Sequence, residues 1–278
     1  MRRSTLRRSI LRATIGSAAV AAILVGAAPA GAIVGGEKDT VHTNVGLVRF
    51  TLPDGRFRCS GTLISPKVVL TAGHCTEGPA QNVYVSFDNE LRPDPLAAGI
   101  TPEEKAAREA FYIKGTAHPD PGWDGKLNFA KQHDQGVVVL DQAATTKWPG
   151  IQAAPLLPVG TLDANQGALK NRTFTLSGYG VDIGDKKAQI VNQQRMMTTA
   201  PLKSVQSEVV TFQNSASDSK AGGGSCFGDS GGGAFLGNFV IGDASYVNSL
   251  TCNATGSYQR VDTTYSRRFL DSWINASK

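Results

Sequence analysis

Residues 1–32 contain no acidic side chain, although Arg2, Arg3, Arg7, Arg8 and Arg12 all lie there. The formal charge of +5 therefore belongs to that segment: setting those arginines aside leaves 23 basic against 23 acidic side chains in the body of the chain. A formally neutral body removes the main support for a polyanion-binding or membrane-surface role. Long apolar runs are also missing. The uncharged stretch from Ala13 to Ala28 falls short of the ~20 residues a bilayer-spanning helix needs. Cysteine is scarce, with four residues and no C-x-x-C pair, and His74-Cys75 is the one close His/Cys pairing. Zinc sites draw on closely spaced ligand pairs, so a structural metal cluster is not expected. No period of about 20–50 residues repeats, which argues against a propeller or solenoid.

What the sequence does contain is typical of a folded protein. The 278 residues are 41% hydrophobic and 18% charged, enough for one large or two modest cores. Glycine is plentiful, at 31 residues, and apolar segments are short. They run over Val45–Phe50, Gly61–Ile64, Val68–Thr71, Val83–Phe87 and Val137–Leu140, then Phe174–Leu176, Val209–Phe212, Ala234–Phe235 and Phe239–Ile241. Turn residues separate them, a spacing that predicts an all-β protein of antiparallel barrels or a sandwich. Two stretches read as helices. Thr101-Pro102-Glu103-Glu104 has the form of a capping box with proline at the first helical position, leading into Lys105–Ala110 as a surface insertion. Tyr265–Asn275 places Phe269, Leu270, Trp273 and Ile274 on one face, as in a terminal helix docked on the body. The Pro-, Gly- and Ala-rich stretch from Lys147 to Pro158 is the best domain boundary.

The basic segment Met1–Arg12 followed by the small and apolar stretch Ala13–Ala28 has the pattern of a signal peptide, so export and a secreted product are expected. Arg7-Arg8 loosely matches a twin-arginine signal, which leaves the export route open. Cleavage fits after Ala28-Pro29-Ala30 or after Ala30-Gly31-Ala32, and the second cut makes Ile33 the first residue. In an oxidising compartment four cysteines form two disulfides. Three pairings are open, among which Cys59–Cys75 and Cys226–Cys252 are short-range.

The chemistry concentrates in three places. Gly228-Asp229-Ser230-Gly231-Gly232 sets one serine among glycines that let the backbone turn sharply and bring its N–H groups up to a carbonyl. Read blandly, it is a glycine-rich turn. His74 follows the apolar Val68–Leu70 and precedes Cys75, so its loop is pinned where an imidazole could act as a base. His42, His118 and His133 have no such frame. Asp134 opens a strongly apolar strand; Asp120, Asp124 and Asp141 compete with it, and it gains a role only jointly with the others. A serine nucleophile needs a base, an acid that orients the base, and donors where negative charge develops.

These stretches, met in the order His, Asp, Ser, resemble the trypsin and chymotrypsin family of serine proteases. Matching segments are Ile33-Val34-Gly35-Gly36, Cys59–Ser65, Thr71–Cys75, His118-Pro119, Asp134–Leu140, Ser177-Gly178-Tyr179-Gly180, Cys226–Gly232, Ser245-Tyr246 and Tyr258–Val261. The resemblance implies two antiparallel six-stranded β-barrels and a C-terminal helix, divided as a leader over 1–32, a first barrel over 33–150 and a second over 151–278. It implies a cleft carrying His74 and Asp134 from the first barrel and Ser230 from the second. Gly228 and Ser230 N–H groups would form the oxyanion hole, where losing one donor costs ~3 to 4 kcal/mol of barrier. The amino group of Ile33, once freed, would pair with Asp229 and order that loop. The pocket would be shaped by Gly224 at its base with Ser225, Ser245, Tyr246, Val247 and Gly256. Gly224 carries no acid and Val247 narrows the wall, which implies cleavage after uncharged, small to medium apolar residues. Asp243 would restore a basic preference if it pointed inward. The expected partners are protein or peptide substrates and proteinaceous inhibitors, with no nucleic acid, membrane, metal or cofactor, and the expected state is a monomer. Three rivals are weaker. A non-catalytic binding member of the fold would show a replaced triad residue, and none is replaced. An α/β-hydrolase esterase shares G-x-S-x-G but needs a histidine after its serine, and none follows Ser230. A secreted polyanion-binding module is disfavoured by the neutral body.

Overall fold

A computed structural model describes residues 33, 35–78, 80–126, 132–170, 172–181, 193–214, 223–250, 252 and 254–278. The leader expected over 1–32 lies outside the described residues, as does Val34 of the Ile33–Gly36 motif. Strand β1 is the two-residue piece Glu37–Lys38. Six strands follow: β2 Val45–Leu52, β3 Gly55–Ser65, β4 Val68–Thr71, β5 Gln81–Ser86, β6 Ile113–Pro119 and β7 Gly136–Leu140. They close into an antiparallel barrel in the order β2-β3-β4-β7-β6-β5. The second set is β8 Thr173–Gly178, β9 Met196–Val205, β10 Val209–Gln213, β11 Gly233–Leu236, β12 Phe239–Val247 and β13 Thr255–Arg260. It runs β9-β10-β13-β12-β11-β8, and a β8–β9 pairing closes it into a second antiparallel barrel. Closure leaves no long open edge in either ring.

Local sequence accounts for much of this. Val68, Val69 and Leu70 are each fully buried because β4 faces barrel interior on one side and the rest of the molecule on the other. Val69 belongs with Val48, Leu63, Val85 and Val138 in the core of the first barrel, whereas Val68 and Leu70 join the larger core that holds Phe174, Phe212 and Tyr258. Gly237-Asn238 turns β11 into β12, with Gly237 at φ 62°, a left-handed conformation that favours glycine there. Three strands beyond the apolar segments complete the rings: β6, β9 and β13.

Helix α1, Pro102–Glu109, begins with the expected capping box: Glu104 N–H donates to Thr101 Oγ1 at 3.2 Å and Thr101 N–H to Glu104 Oε2 at 2.8 Å. It sits in the long connection between β5 and β6. Two short helices, α2 Thr161–Ala164 and α3 Gln166–Leu169, precede β8. The terminal helix α4, Thr264–Ala276, is capped by Thr263, whose side chain accepts from Ser266 N–H at 3.1 Å. Leu270 is fully buried, with Phe269, Trp273 and Ile274 packed against the core.

The chain exchanges its ends between the rings. Near its start, β1 pairs with β9 of the second barrel, and at its end α4 lies against β4 and β7 of the first. A buried cluster secures the first exchange. Asp39 accepts hydrogen bonds from Ser177 Oγ at 2.5 Å and meets His42 Nδ1 at 3.0 Å. Burial opposes its ionisation, but the bonds from His42 and Ser177 and the charge of His42 hold its carboxyl well below the usual range. Fully buried Arg195 donates to Val45 O, Phe87 O and Asp39 O, tying the same segment to both barrels.

Candidate active site

The cleft between the barrels is a cavity of about 420 Å³. The first barrel contributes His74, Glu77, Trp123 and Gly125 to it, and the second contributes Ser225, Phe227, Ser230, Ser245, Tyr246 and Val247 among others. Trp123 and Gly125 come from the connection between β6 and β7, so that connection walls the cleft, whereas α1 in the β5–β6 connection does not.

His74 sits in a 3₁₀ turn, Gly73–Cys75, directly after β4, and Cys75 is bonded to Cys59 on β3. That disulfide anchors the turn to the barrel wall. Asp134 precedes β7, which pairs with β4, so the two residues are brought side by side by strand pairing. Asp134 is fully buried; it accepts from His74 N–H at 2.8 Å and from Ser245 Oγ at 2.5 Å, and lies 2.9 Å from His74 Nδ1. These contacts fix the imidazole with a proton on Nδ1 and leave Nε2 as the acceptor. Burial raises the Asp134 carboxyl, yet the hydrogen bonds and charge of His74 together with Ser245 bring it below its ordinary value. For His74, burial lowers the pKa, and the bond and charge of Asp134, with a contribution from Glu77, carry it above 6.5.

Ser230 lies on the opposite side of the same cavity. Hydrogen bonds brace the backbone of its segment. Ser60 N–H donates to Ser230 O at 2.8 Å, Gly231 N–H to Ala244 O at 2.7 Å, Gly232 N–H to Asp229 O at 2.7 Å and Asp229 N–H to Cys226 O at 3.1 Å. Among the described residues, the N–H groups of Gly228 and Ser230 have no acceptor. Both residues are only partly buried, so these two donors remain available to a group entering the cleft. Gly231, at φ 78°, packs so tightly that a Cβ there would lie 2.1 Å from Thr71 Oγ1 and 2.4 Å from Ser60 O. No hydrogen bond joins Ser230 Oγ to His74 among the described residues; such bonds are often long before substrate arrives.

Asp229 is buried behind the serine, where its carboxylate accepts from Gly180 N–H at 2.8 Å and Cys226 N–H at 2.9 Å. A Cβ on Gly180 would fall 2.4 Å from that carboxylate, which explains the glycine there. Burial pushes Asp229 up to about 7, against the two backbone donors and the charge of Arg58. Among the described residues it makes no ion pair. Ile33 is fully buried in the large core.

The second disulfide joins Cys226 to Cys252. Both bridges are the short-range pairs. Cys59, His74 and Cys75 place three ligand-type atoms within 4.8 Å of one another, but both sulfurs are bonded to each other and neither is a thiolate.

Of the residues expected around the pocket, Ser225, Ser245, Tyr246 and Val247 line the cavity, and Gly224 and Gly256 face Asn214. Asn214, at the end of β10, is fully buried and donates to Ser225 O at 2.9 Å. A Cβ on Gly256 would lie 2.5 Å from Asn214 Oδ1 and one on Gly224 2.3 Å from Asn214 Cγ, so this side chain occupies the space between the two glycines. Sequence reading missed Asn214; only the paired glycines hinted at a side chain between them. Asp243 is fully buried, accepts from Gln135 Nε2 at 3.0 Å and is not part of the cavity wall.

A family model described as Trypsin matches residues 33–268. A trypsin from Saccharopolyspora erythraea is 30% identical over 145 residues, covering 48% of this chain and 64% of its own length. Granzyme M from Rattus norvegicus is 30% identical over 109 residues, covering 39% of this chain and 36% of its own. The chain thus spans less than two thirds of these curated relatives. Among solved structures, HL collagenase superposes with a TM-score of 0.62 at 20% identity, over 86% of this chain and 98% of that one. A mutant of human heparin binding protein gives 0.62 at 17% identity, over 88% and 98%. At those identities the likeness concerns the fold.

Proposed function

Because the chain belongs to the trypsin family of serine proteases, we propose that it is a secreted endopeptidase whose triad is His74, Asp134 and Ser230. The observation that carries this reading is the pair of unpaired N–H groups on Gly228 and Ser230, set beside a hydroxyl that shares a cavity with an aspartate-held imidazole. Ser230 Oγ attacks the scissile carbonyl as His74 Nε2 takes its proton. The oxyanion then collects the two free donors, and the protonated imidazole returns the proton to the leaving amine. Water repeats the sequence on the acyl-enzyme. Asp134 holds the Nδ1–H tautomer and offsets the imidazolium charge. The test is a serine-directed organophosphorus reagent: stoichiometric labelling that maps to Ser230 supports the reading, and labelling elsewhere with retained proteolysis refutes it.

Two buried disulfides suit the oxidising side of a membrane. Among the described residues no helix is long and apolar enough to cross a membrane. The enzyme acts as a monomer on protein or peptide substrates, and proteinaceous inhibitors fit the same cleft. Asn214 fills the space below Ser225 and, among the described residues, no acid lines the pocket side of the cavity, which supports cleavage after uncharged, small to medium apolar residues. In a panel of peptides differing only at the residue before the cut, Ala, Val or Leu should exceed Arg and Lys; a clear preference for Arg or Lys would overturn the pocket assignment.

Asp229 supplies a reason for activation. A buried carboxyl held near 7 is poorly paired, and a new ammonium on Ile33 would stabilise its charged form. Direct cleavage after Ala32 would therefore release a competent enzyme. N-terminal sequencing of active secreted protein should read Ile33. Material that keeps Gly31-Ala32 should lose about a hundredfold in kcat, the cost of a misplaced oxyanion donor. Full activity with Gly31 as first residue would remove this role from Ile33 and Asp229.

A further inference from the structure

The first-barrel wall of the cleft holds a charged group outside the triad. Glu77, three residues after His74, lines the cavity, and among the described lining residues it is the one carboxylate, with no lysine or arginine beside it. Its Oε2 accepts from Trp123 Nε1 at 2.7 Å. Its other oxygen has no protein donor among the described residues. Trp123 also lines the cavity, with its ring centroid 6.4 Å from that of His74. The indole thus fixes the carboxylate's orientation while offering an aromatic surface next to it. A half-satisfied carboxylate beside an aromatic ring is the arrangement that takes an ammonium or guanidinium group, through charge and through the ring quadrupole.

Which substrate residue reaches it follows from strand geometry. A peptide extended between the barrels turns successive side chains to opposite sides. If the residue before the scissile bond points into the second-barrel pocket of Ser225, Tyr246 and Val247, the one upstream of it points at His74, Glu77 and Trp123. We propose that Glu77 and Trp123 form a subsite for a lysine or arginine at the position immediately upstream of the pocket residue. The protein would then cut after a small apolar residue that follows a basic one, a substrate class deeper than, and resting on, the endopeptidase reading.

Binding to a protein that cannot turn over separates the two. Peptides of one sequence carrying Lys, Ala or Glu at the upstream position are titrated into the Ser230→Ala protein and into Ser230→Ala/Glu77→Gln. The Lys peptide should bind roughly five- to tenfold more tightly than the Ala peptide, and Glu more weakly. High salt should shrink the difference. Glu77→Gln should bring the Lys/Ala ratio close to one, and Glu77→Lys should invert the order in favour of Glu. Any general change in the cleft acts on all three peptides and cancels in the ratio. Equal affinities in the Ser230→Ala protein, a ratio that survives Glu77→Gln, or no binding of any peptide would overturn the subsite. Hydrolysis of the same peptides by the unsubstituted protein is read separately, so a catalytic failure is not mistaken for a failure of the wall.

Discussion

Ser230→Ala is expected to lower kcat by about a million-fold while leaving the fold and peptide binding intact. The size follows from what one oxygen does. Without a nucleophile, His74 has nothing to activate, and what remains is water attacking a carbonyl held by two N–H donors, ~10³ to 10⁴ above the uncatalysed rate. The fold should survive because Ser230 is held through its backbone: its carbonyl accepts from Ser60, and its side chain makes no hydrogen bond among the described residues. Circular dichroism and a thermal melt would match those of the parent protein, and organophosphorus labelling would vanish. A variant with more than about a thousandth of the parent kcat would place the nucleophile elsewhere.

Asp134→Asn should cost about 10⁴-fold in kcat/KM, and it should move the pH profile in a direction set by the site's electrostatics. The amide can still accept from His74 N–H, so the turn stays in place. Its NH₂, however, faces Nδ1 and drives the ring proton to Nε2, where it blocks proton uptake from Ser230. In the parent protein, the bond and charge of Asp134 keep His74 above 6.5 despite burial. Activity requires neutral imidazole, so kcat/KM should fall as pH drops through a value above 6.5. Removing the carboxylate leaves burial to dominate, and the acid limb should shift to lower pH even as the plateau collapses. The check is kcat/KM measured across the neutral range for both proteins. An acid limb that stays in place would mean that Asp134 does not set the titration of His74.

The features that could be read along the chain are those whose cause is local. The capping box at Thr101 and the apolar face of α4 depend on neighbours within one turn, and both formed within a residue or two of the expected span. Apolar β4 and β7 stood out because nearly every residue in them is buried. Strands β6 and β9 did not, since Ile113–Pro119 and Met196–Val205 close the rings with one face toward solvent and carry Lys, Thr, Gly and Pro. Nothing local marks such a strand; its partners on both sides create it.

The same division runs through the candidate site. His74, Asp134 and Ser230 could be named in advance because glycines, a cysteine and an apolar strand flank them, and the two disulfides are the short-range pairs among three arrangements. Asn214, Glu77 and Trp123 could not. They come from the end of β10, the turn after His74 and the connection between β6 and β7, and each is an ordinary residue in its own stretch. Sequence records which groups a chain owns and how its near neighbours bend it. Whether a side chain fills a pocket floor or orients a carboxylate depends on groups tens of residues away, and closure of the two barrels brings those groups within hydrogen-bonding range.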